Sequence, residues 1–276
     1  MTAASLSGHY RMLSLASTWV PAPYGQEVVY RVAGDGQPII LLHGFVNTSA
    51  LWNETITAFQ QDYRLYALDL PGHGHSPPRI PWKLREVAEI VAAWLRLLEI
   101  GQATLIGHSM GGALAMLLAA TRPDLVKRLV LVNPAGLPIQ QPVLRAFTRA
   151  GLGFSLRQHA NAADGSVSPR SKQTLALWQA AEDVLSCDLR PELGAIHCPT
   201  TLIWGTGDRL LPMQSAIILQ RLITGAELIF LPNLRHRPHR ANPQVFQAIL
   251  RDVLMREGGV PDASEEHLPG ASLASI

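Results

Sequence analysis

Three residues in this chain are of the types and in the settings that nucleophilic chemistry needs: a serine, an aspartate and a histidine. The serine has the sharpest signature. Thr104-Leu105-Ile106-Gly107 is an apolar run that stops at a glycine, and His108-Ser109-Met110-Gly111-Gly112 leads into a segment rich in Ala, Leu and Met. That is a Gly-x-Ser-x-Gly turn with a strand before it and a helix after it. A residue at the tip of so sharp a turn has strained backbone angles, and the flanking glycines leave room for the chain to cross itself. The turn also places Ser109 at a helix N-terminus, where free N–H groups and the dipole favour negative charge. An acyl-transfer nucleophile needs that environment.

A serine hydroxyl attacks poorly until a base takes its proton, and the base needs a carboxylate to hold its tautomer and stabilise the imidazolium. After such a turn the expected chain order is serine, acid, histidine. Leu202-Ile203-Trp204 ends in Gly205-Thr206-Gly207-Asp208, so Asp208 falls on a loop at the carboxyl end of a strand. Parallel sheets place their ligands at that end. His236, in Leu231-Pro232-Asn233-Leu234-Arg235-His236, follows the next strand at the same end. His239 is a rival base, and Asp69 a rival acid whose turn, Asp69-Leu70-Pro71-Gly72-His73-Gly74, reads as a loop-shaping element. The end of the preceding strand reads Asn133-Pro134, and an amide cannot stabilise an imidazolium. His73-x-His75 and His236-x-x-His239 lack the clustered Asp, Glu or Cys that would complete a metal set, so no metal is expected. Gly34-x-Gly36 and Gly205-x-Gly207 lack the further glycine of a dinucleotide loop, and no cofactor is implied.

The elements that must carry these residues alternate between short apolar runs and amphipathic segments, the pattern of βα units around a mostly parallel sheet. Strands are expected at Glu27 to Ala33, Pro38 to His43, Arg64 to Asp69, Ala103 to Gly107, Arg128 to Asn133, Thr200 to Gly205 and Ala226 to Leu231. Gly34-Asp35-Gly36 reads as a tight turn joining the first two as an antiparallel pair at the sheet's edge. Helices are expected from about Trp82 to Leu98, with Val87, Ile90, Val91, Trp94 and Leu98 on one face, after Ser109, and from Pro243 to Met255. The chain divides into a flexible arm (1–16), a core (17–135 and 186–257), an inserted helical cap (136–185) and a disordered tail (258–276) rich in Pro, Gly, Ser and Glu. An insertion of that length in a compact domain is often a lid or binding element.

The 276 residues are 47% hydrophobic and 16% charged, which predicts a sizeable core. A net charge of +2 without a Lys/Arg block argues against nucleic acid. No apolar run reaches the roughly 18 to 20 residues of a membrane span. Cys187 and Cys198 fit no metal spacing and are expected as free thiols in a reducing compartment, with the cytoplasm as default.

Taken together, the chain resembles the α/β-hydrolase superfamily, in the branch with an HG-x oxyanion loop. The resemblance runs from about Tyr24 to Met255 and rests on Leu42-His43-Gly44-Phe45, Asp69 to Ser76, the serine turn, Pro199 to Asp208, and His236-Arg237-Pro238-His239. It implies an α/β fold: a mostly parallel α/β-hydrolase sheet with helices on both faces and a small helical cap inserted after the sixth strand. It further implies Ser109 as nucleophile, His236 as general base and Asp208 as its orienting acid. The backbone N–H groups of Phe45 and Met110 would form the oxyanion hole. The chain departs from the family at Arg235 and Ala241, where relatives often have Gly and Glu. Leu137, Ile139, Val143, Phe147, Leu152, Phe154 and Trp178 make the cap apolar, either lining a pocket or packing cap to core. His108, Phe147, Trp178 and Leu210 are the candidate substrate contacts, His108 being either pocket floor or packing. The resulting expectation is a carboxylesterase acting on a small-molecule ester with an apolar acyl group. The same triad would also serve a cofactor-free perhydrolase or haloperoxidase, a carbon–carbon bond hydrolase, an acyltransferase, or a slow-turnover ligand receptor.

Overall fold

The computed structural model describes residues 13–139 and 169–256. Most of the arm and of the cap, Phe147 included, and the tail from 258 onward lie outside the described residues. An eight-stranded sheet forms the centre: β1 (Ser14–Val20), β2 (Gln26–Ala33), β3 (Gln37–Leu42), β4 (Tyr63–Asp69), β5 (Ala103–His108), β6 (Val126–Val132), β7 (Thr200–Gly205) and β8 (Glu227–Leu231), ordered β1-β2-β4-β3-β5-β6-β7-β8. β1 pairs antiparallel with β2, and β2 antiparallel with β4, while every later pair is parallel.

Two expectations need correction. β2 and β3 are not a hairpin. β3 sits between β4 and β5 in the parallel part of the sheet, with Ile39, Ile40, Leu41 and Leu42 all buried. Burial on both faces is the signature of a central parallel strand, and the unbroken apolar run carried it. Gly34, at φ +75°, carries the chain past the start of β4, where a Cβ would lie 2.2 Å from the Tyr63 carbonyl oxygen. The second correction is at the N-terminal arm: Ser14, Leu15 and Ala16 are the first residues of β1, which ends the sheet. Leu15 (53% exposed) and Trp19 (63%) face solvent there, so the alternation that marks a half-buried strand is missing from the sequence.

Side-chain alternation along the central strands divides the core in two. Ile40 and Leu42 pack with α2 (Leu84–Leu97), α3 (Met110–Thr121) and, further along, α4 (Pro169–Ser186), α5 (Arg190–Leu193) and α6 (Met213–Leu222). Ile39 and Leu41 pack with α1 (Asn53–Phe59) and α8 (Pro243–Met255), the latter following the single turn α7 (Pro238–Ala241). The helix expected near Trp82 is α2, and it buries Val87, Ile90, Val91 and Trp94 as its period requires. α8 starts and stops where the sequence placed it: Asn242 caps it by accepting from the Val245 N–H, with Pro243 in the first turn.

α4 is fastened to the core through α2. Asp183 accepts from the Leu84 N–H at 2.8 Å and pairs with Lys83, while Gln179 accepts from the Trp82 N–H at 2.9 Å. The Leu84 N–H, left free at the start of α2, and the Trp82 N–H just before it are thus satisfied by side chains from a helix about 100 positions away in sequence. Cys187 and Cys198 are free and half-buried, and burial together with nearby Asp183 pushes the Cys187 thiol up to about 12.

Candidate active site

Parallel packing aligns the carboxyl ends of β3, β5, β6, β7 and β8, and the loops leaving those ends converge. Ser109 follows β5 at φ +53°, ψ −116°, in the left-handed region that non-glycine residues seldom occupy, and opens α3. Its carbonyl accepts from the N–H groups of Gly112, Ala113 and Ala135, so three amides hold the strained residue in place. The turn closes only because Gly107 and Gly111 lack side chains. A Cβ on Gly111 would lie 2.2 Å from the Leu42 carbonyl oxygen, and one on Gly107 would lie 2.4 Å from that of Gly111.

His236 Nε2 lies 3.0 Å from Ser109 Oγ, and His236 Nδ1 lies 2.7 Å from Asp208 Oδ2. The Asp208 carboxylate is almost fully enclosed, its side chain 1% exposed against 17% for His236. Its other oxygen accepts from the N–H groups of Leu210 and Leu211 at 2.8 and 3.1 Å. Burial pushes this carboxyl up, but the His236 hydrogen bond and charge and the two amides outweigh it and hold it below the usual carboxylate value.

A fourth donor was missed in the sequence. Asn133, at the end of β6, donates its side-chain N–H to Asp208 Oδ2 at 2.7 Å and accepts the Gly205 N–H on its own oxygen at 3.1 Å. It is fully buried, at φ +40°. An amide is no acid, yet it braces the acid on the neighbouring strand. The signal was its position: an Asn closing β6 beside the β7 loop that carries Asp208.

Asp69 is placed elsewhere. Its oxygens accept from the Ser49 and His75 N–H groups at 2.6 and 2.9 Å and from His75 Nδ1, so it shapes the loop after β4 as the sequence suggested. That loop is tied to the one after β3 by His43, whose Nε2 accepts from the Leu70 N–H at 3.1 Å while Nδ1 donates to the Gly44 carbonyl at 2.8 Å. Burial first, then the neighbouring His73, takes His43 down to about 3, so it is a neutral strut. His239 does not face Ser109. It is buried, stacked on Trp52 at 4.9 Å and beside His108 at 4.7 Å, and burial takes it down to about 3.

Ser109 and His236 open into a cavity of about 270 Å³ whose lining is mainly apolar: Phe45, Val46, Ala135, Ile139, Val184 and Leu211 among others. His108 and Leu210 are among its lining residues. Trp178 is not among the described lining residues; α4 contributes Ala181, Val184 and Leu185 instead. Trp178 lies seven residues before Leu185, about 10 Å back along the helix axis. Arg237 lines the cavity mouth with its side chain exposed. Arg235, beside the histidine, is exposed as well. A second cavity of about 520 Å³ shares Ala135, Ile139, Leu210 and Leu211 with the first. Met110 opens α3, where first-turn amides have no intrahelical acceptor, and Phe45 follows Gly44 in the turn closed by the Asn47 N–H on the Gly44 carbonyl. Among the described residues no group of His, Cys, Asp and Glu is arranged to hold a metal, and no helix is long and apolar enough to cross a membrane.

A family model of the α/β-hydrolase fold matches residues 37–147. A pimeloyl-[acyl-carrier protein] methyl ester esterase of Nitrosospira multiformis is 30% identical over 247 residues, covering 78% of this chain and 93% of that protein. The dihydrolipoyllysine-residue acetyltransferase component of an acetoin cleaving system of Pseudomonas putida is 32% identical over 260 residues, covering 83% and 69%. Among solved structures, a bacterial membrane phospholipase A superposes with a TM-score of 0.70 at 26% identity, covering 88% and 87%. The chain belongs to the α/β-hydrolase family.

Proposed function

We propose that this chain is a serine hydrolase that cleaves small to medium carboxylic esters through an acyl-enzyme intermediate. The observation that carries the reading is the unbroken run of hydrogen bonds from Ser109 Oγ through His236 to Asp208, at 3.0 and 2.7 Å, opening into an apolar cavity. His236 Nε2 takes the Ser109 proton as Oγ attacks the ester carbonyl, and Asp208 stabilises the imidazolium so formed. The amides of Phe45 and Met110 receive the negative charge on the carbonyl oxygen; one such donor is worth about 3 to 4 kcal/mol in the transition state. His236 then returns the proton to the leaving alcohol, and a water activated by the same base releases the acid. A cavity of about 270 Å³ is near the lower end of small-molecule sites, which favours short acyl groups against Val184, Leu185 and Ile139. The esterase, acetyltransferase and phospholipase named among the relatives and structures all handle acyl groups, which supports acyl transfer as the common step.

The test is hydrolysis of p-nitrophenyl esters from acetyl to palmitoyl by the wild type and by Ser109→Ala. Turnover of short esters, reduced about a million-fold in the variant, supports the reading. A folded wild type as inert as the variant refutes simple ester hydrolysis.

A further inference from the structure

The residue before the nucleophile takes no part in the proton relay, yet its buried imidazole touches both the loop that carries His236 and the loop at Gly44. His108 is peptide-bonded to Ser109 and lies in the core. Its Nε2 is 2.8 Å from the main-chain carbonyl of His236, and the two rings stand 4.9 Å apart. Its opposite edge meets the oxyanion loop: a Cβ on Gly44 would lie 2.7 Å from His108 Nδ1 and 3.0 Å from Cε1. Gly44 is therefore what lets the ring approach.

These contacts fix the tautomer. Nδ1 faces the Gly44 Cα and has no hydrogen-bond partner among the described residues, whereas Nε2 faces a carbonyl. The proton sits on Nε2 and is donated to His236. Burial, with His239 and His236 close by, keeps the ring neutral.

We propose that His108 is a positioning residue, whose Nε2–H holds the main chain of His236 in register with Ser109 and with the oxyanion loop at Gly44. The inference rests on the reading of Ser109 as nucleophile and His236 as base. Reacting groups must be aligned closely, and a displacement of about 1 Å costs on the order of 100-fold in rate. A histidine that merely filled space would be replaceable by an apolar side chain of similar volume; one that positions the base would not.

Two variants separate these roles. His108→Leu keeps bulk and loses the donor, while His108→Gln carries an N–H at about the reach of Nε2. The measurements are kcat and KM on p-nitrophenyl butyrate, the rate of inactivation by diisopropyl fluorophosphate, and the melting temperature. The expected result is a kcat and an inactivation rate about 10- to 100-fold lower in the Leu variant with KM unchanged, and substantial recovery in the Gln variant. A folded Leu variant that reacts at the wild-type rate overturns the proposal, as does a Gln variant no better than Leu. Absence of inactivation in the wild type overturns the underlying reading of Ser109 instead, and the proposal with it. Nitrogen NMR of the wild-type imidazoles needs no variant: His108 protonated on Nε2 supports the assignment, and protonation on Nδ1 overturns it.

Discussion

Asn133 Nδ2 and His236 Nδ1 both lie 2.7 Å from the same oxygen of Asp208. The acid is thus shared between a base that changes charge during the reaction and an amide that does not. With the Leu210 and Leu211 N–H groups on the second oxygen, the carboxylate is clamped from both sides and cannot swing away from the histidine.

Replacing Asn133 by Leu removes that clamp and leaves the buried Gly205 N–H unpaired. The expected cost is about 1 to 3 kcal/mol of stability, read from denaturant unfolding, with a several-fold fall in kcat. Asn133→Asp does not supply a second acid. Two carboxylates at this separation cannot both ionise, so activity at neutral pH falls here too. Wild-type kcat in both variants would show that Asp208 needs no brace.

The two halves of the site differed in how legible they were. Ser109, Asp208 and His236 could be read because each follows an apolar run that ends in a turn, and parallel strands bring such ends together. Asn133 was set aside because its side chain was judged as an acid and not as a donor to one. The pairing of β2 with β4 was hidden for a different reason: a turn such as Gly34-Asp35-Gly36 says that the chain reverses or steps, not which strand it joins next. β1 is hard to read because its outer face carries Leu15 and Trp19 in solvent, so the alternating burial of the strand is not matched by an apolar–polar alternation in the sequence. Trp178 is one of several apolar cap residues whose type fits pocket lining and packing equally, and among the described residues α4 reaches the cavity through Ala181, Val184 and Leu185.

The serine turn tolerates no added atoms on its inner side. Gly111→Ala puts a Cβ 2.2 Å from the Leu42 carbonyl oxygen, backbone that cannot move without shifting β3. Destabilisation of about 1 to 3 kcal/mol or more is expected, with loss of activity. Gly101→Ala is the control, since a Cβ there meets nothing within 4 Å. Thermal unfolding of the pair decides the matter; equal melting temperatures contradict the close crossing.

Asp183 joins α4, which lines the cavity with Ala181, Val184 and Leu185, to the start of α2. Asp183→Ala removes an N-terminal cap worth about 1 kcal/mol. The altered seat of α4 should raise KM for short esters more than it lowers kcat. Lys83→Ala breaks only the exposed half of the same contact and should change stability by less than about 0.5 kcal/mol. If the two substitutions behave alike, the cap contributes nothing.

Acid should unfold this chain in two stages. Burial lowers His43 to about 3, His73 to about 4 and His239 to about 3, against 6.5 for an exposed histidine. Between about pH 4 and 6.5 the unfolded chain therefore binds more protons than the folded one, and stability rises with pH. It is complete above 6.5 and falls as pH drops below it, by up to about 1.4 kcal/mol per pH unit for each histidine. Asp69 and Asp208, both held below 3.8 in the fold, add their losses only below that value. Denaturant midpoints measured from pH 8 to pH 4 check this, and a flat profile between 6.5 and 4 contradicts it.

The central claim is that Ser109 carries the acyl group. The direct measurement is rapid acid quench of the wild type turning over p-nitrophenyl butyrate, followed by intact mass and peptide mapping. The account predicts a mass gain of one butyryl group, located on Ser109 and absent from Ser109→Ala. An adduct on any other residue, or steady turnover by the Ser109→Ala variant, would contradict it.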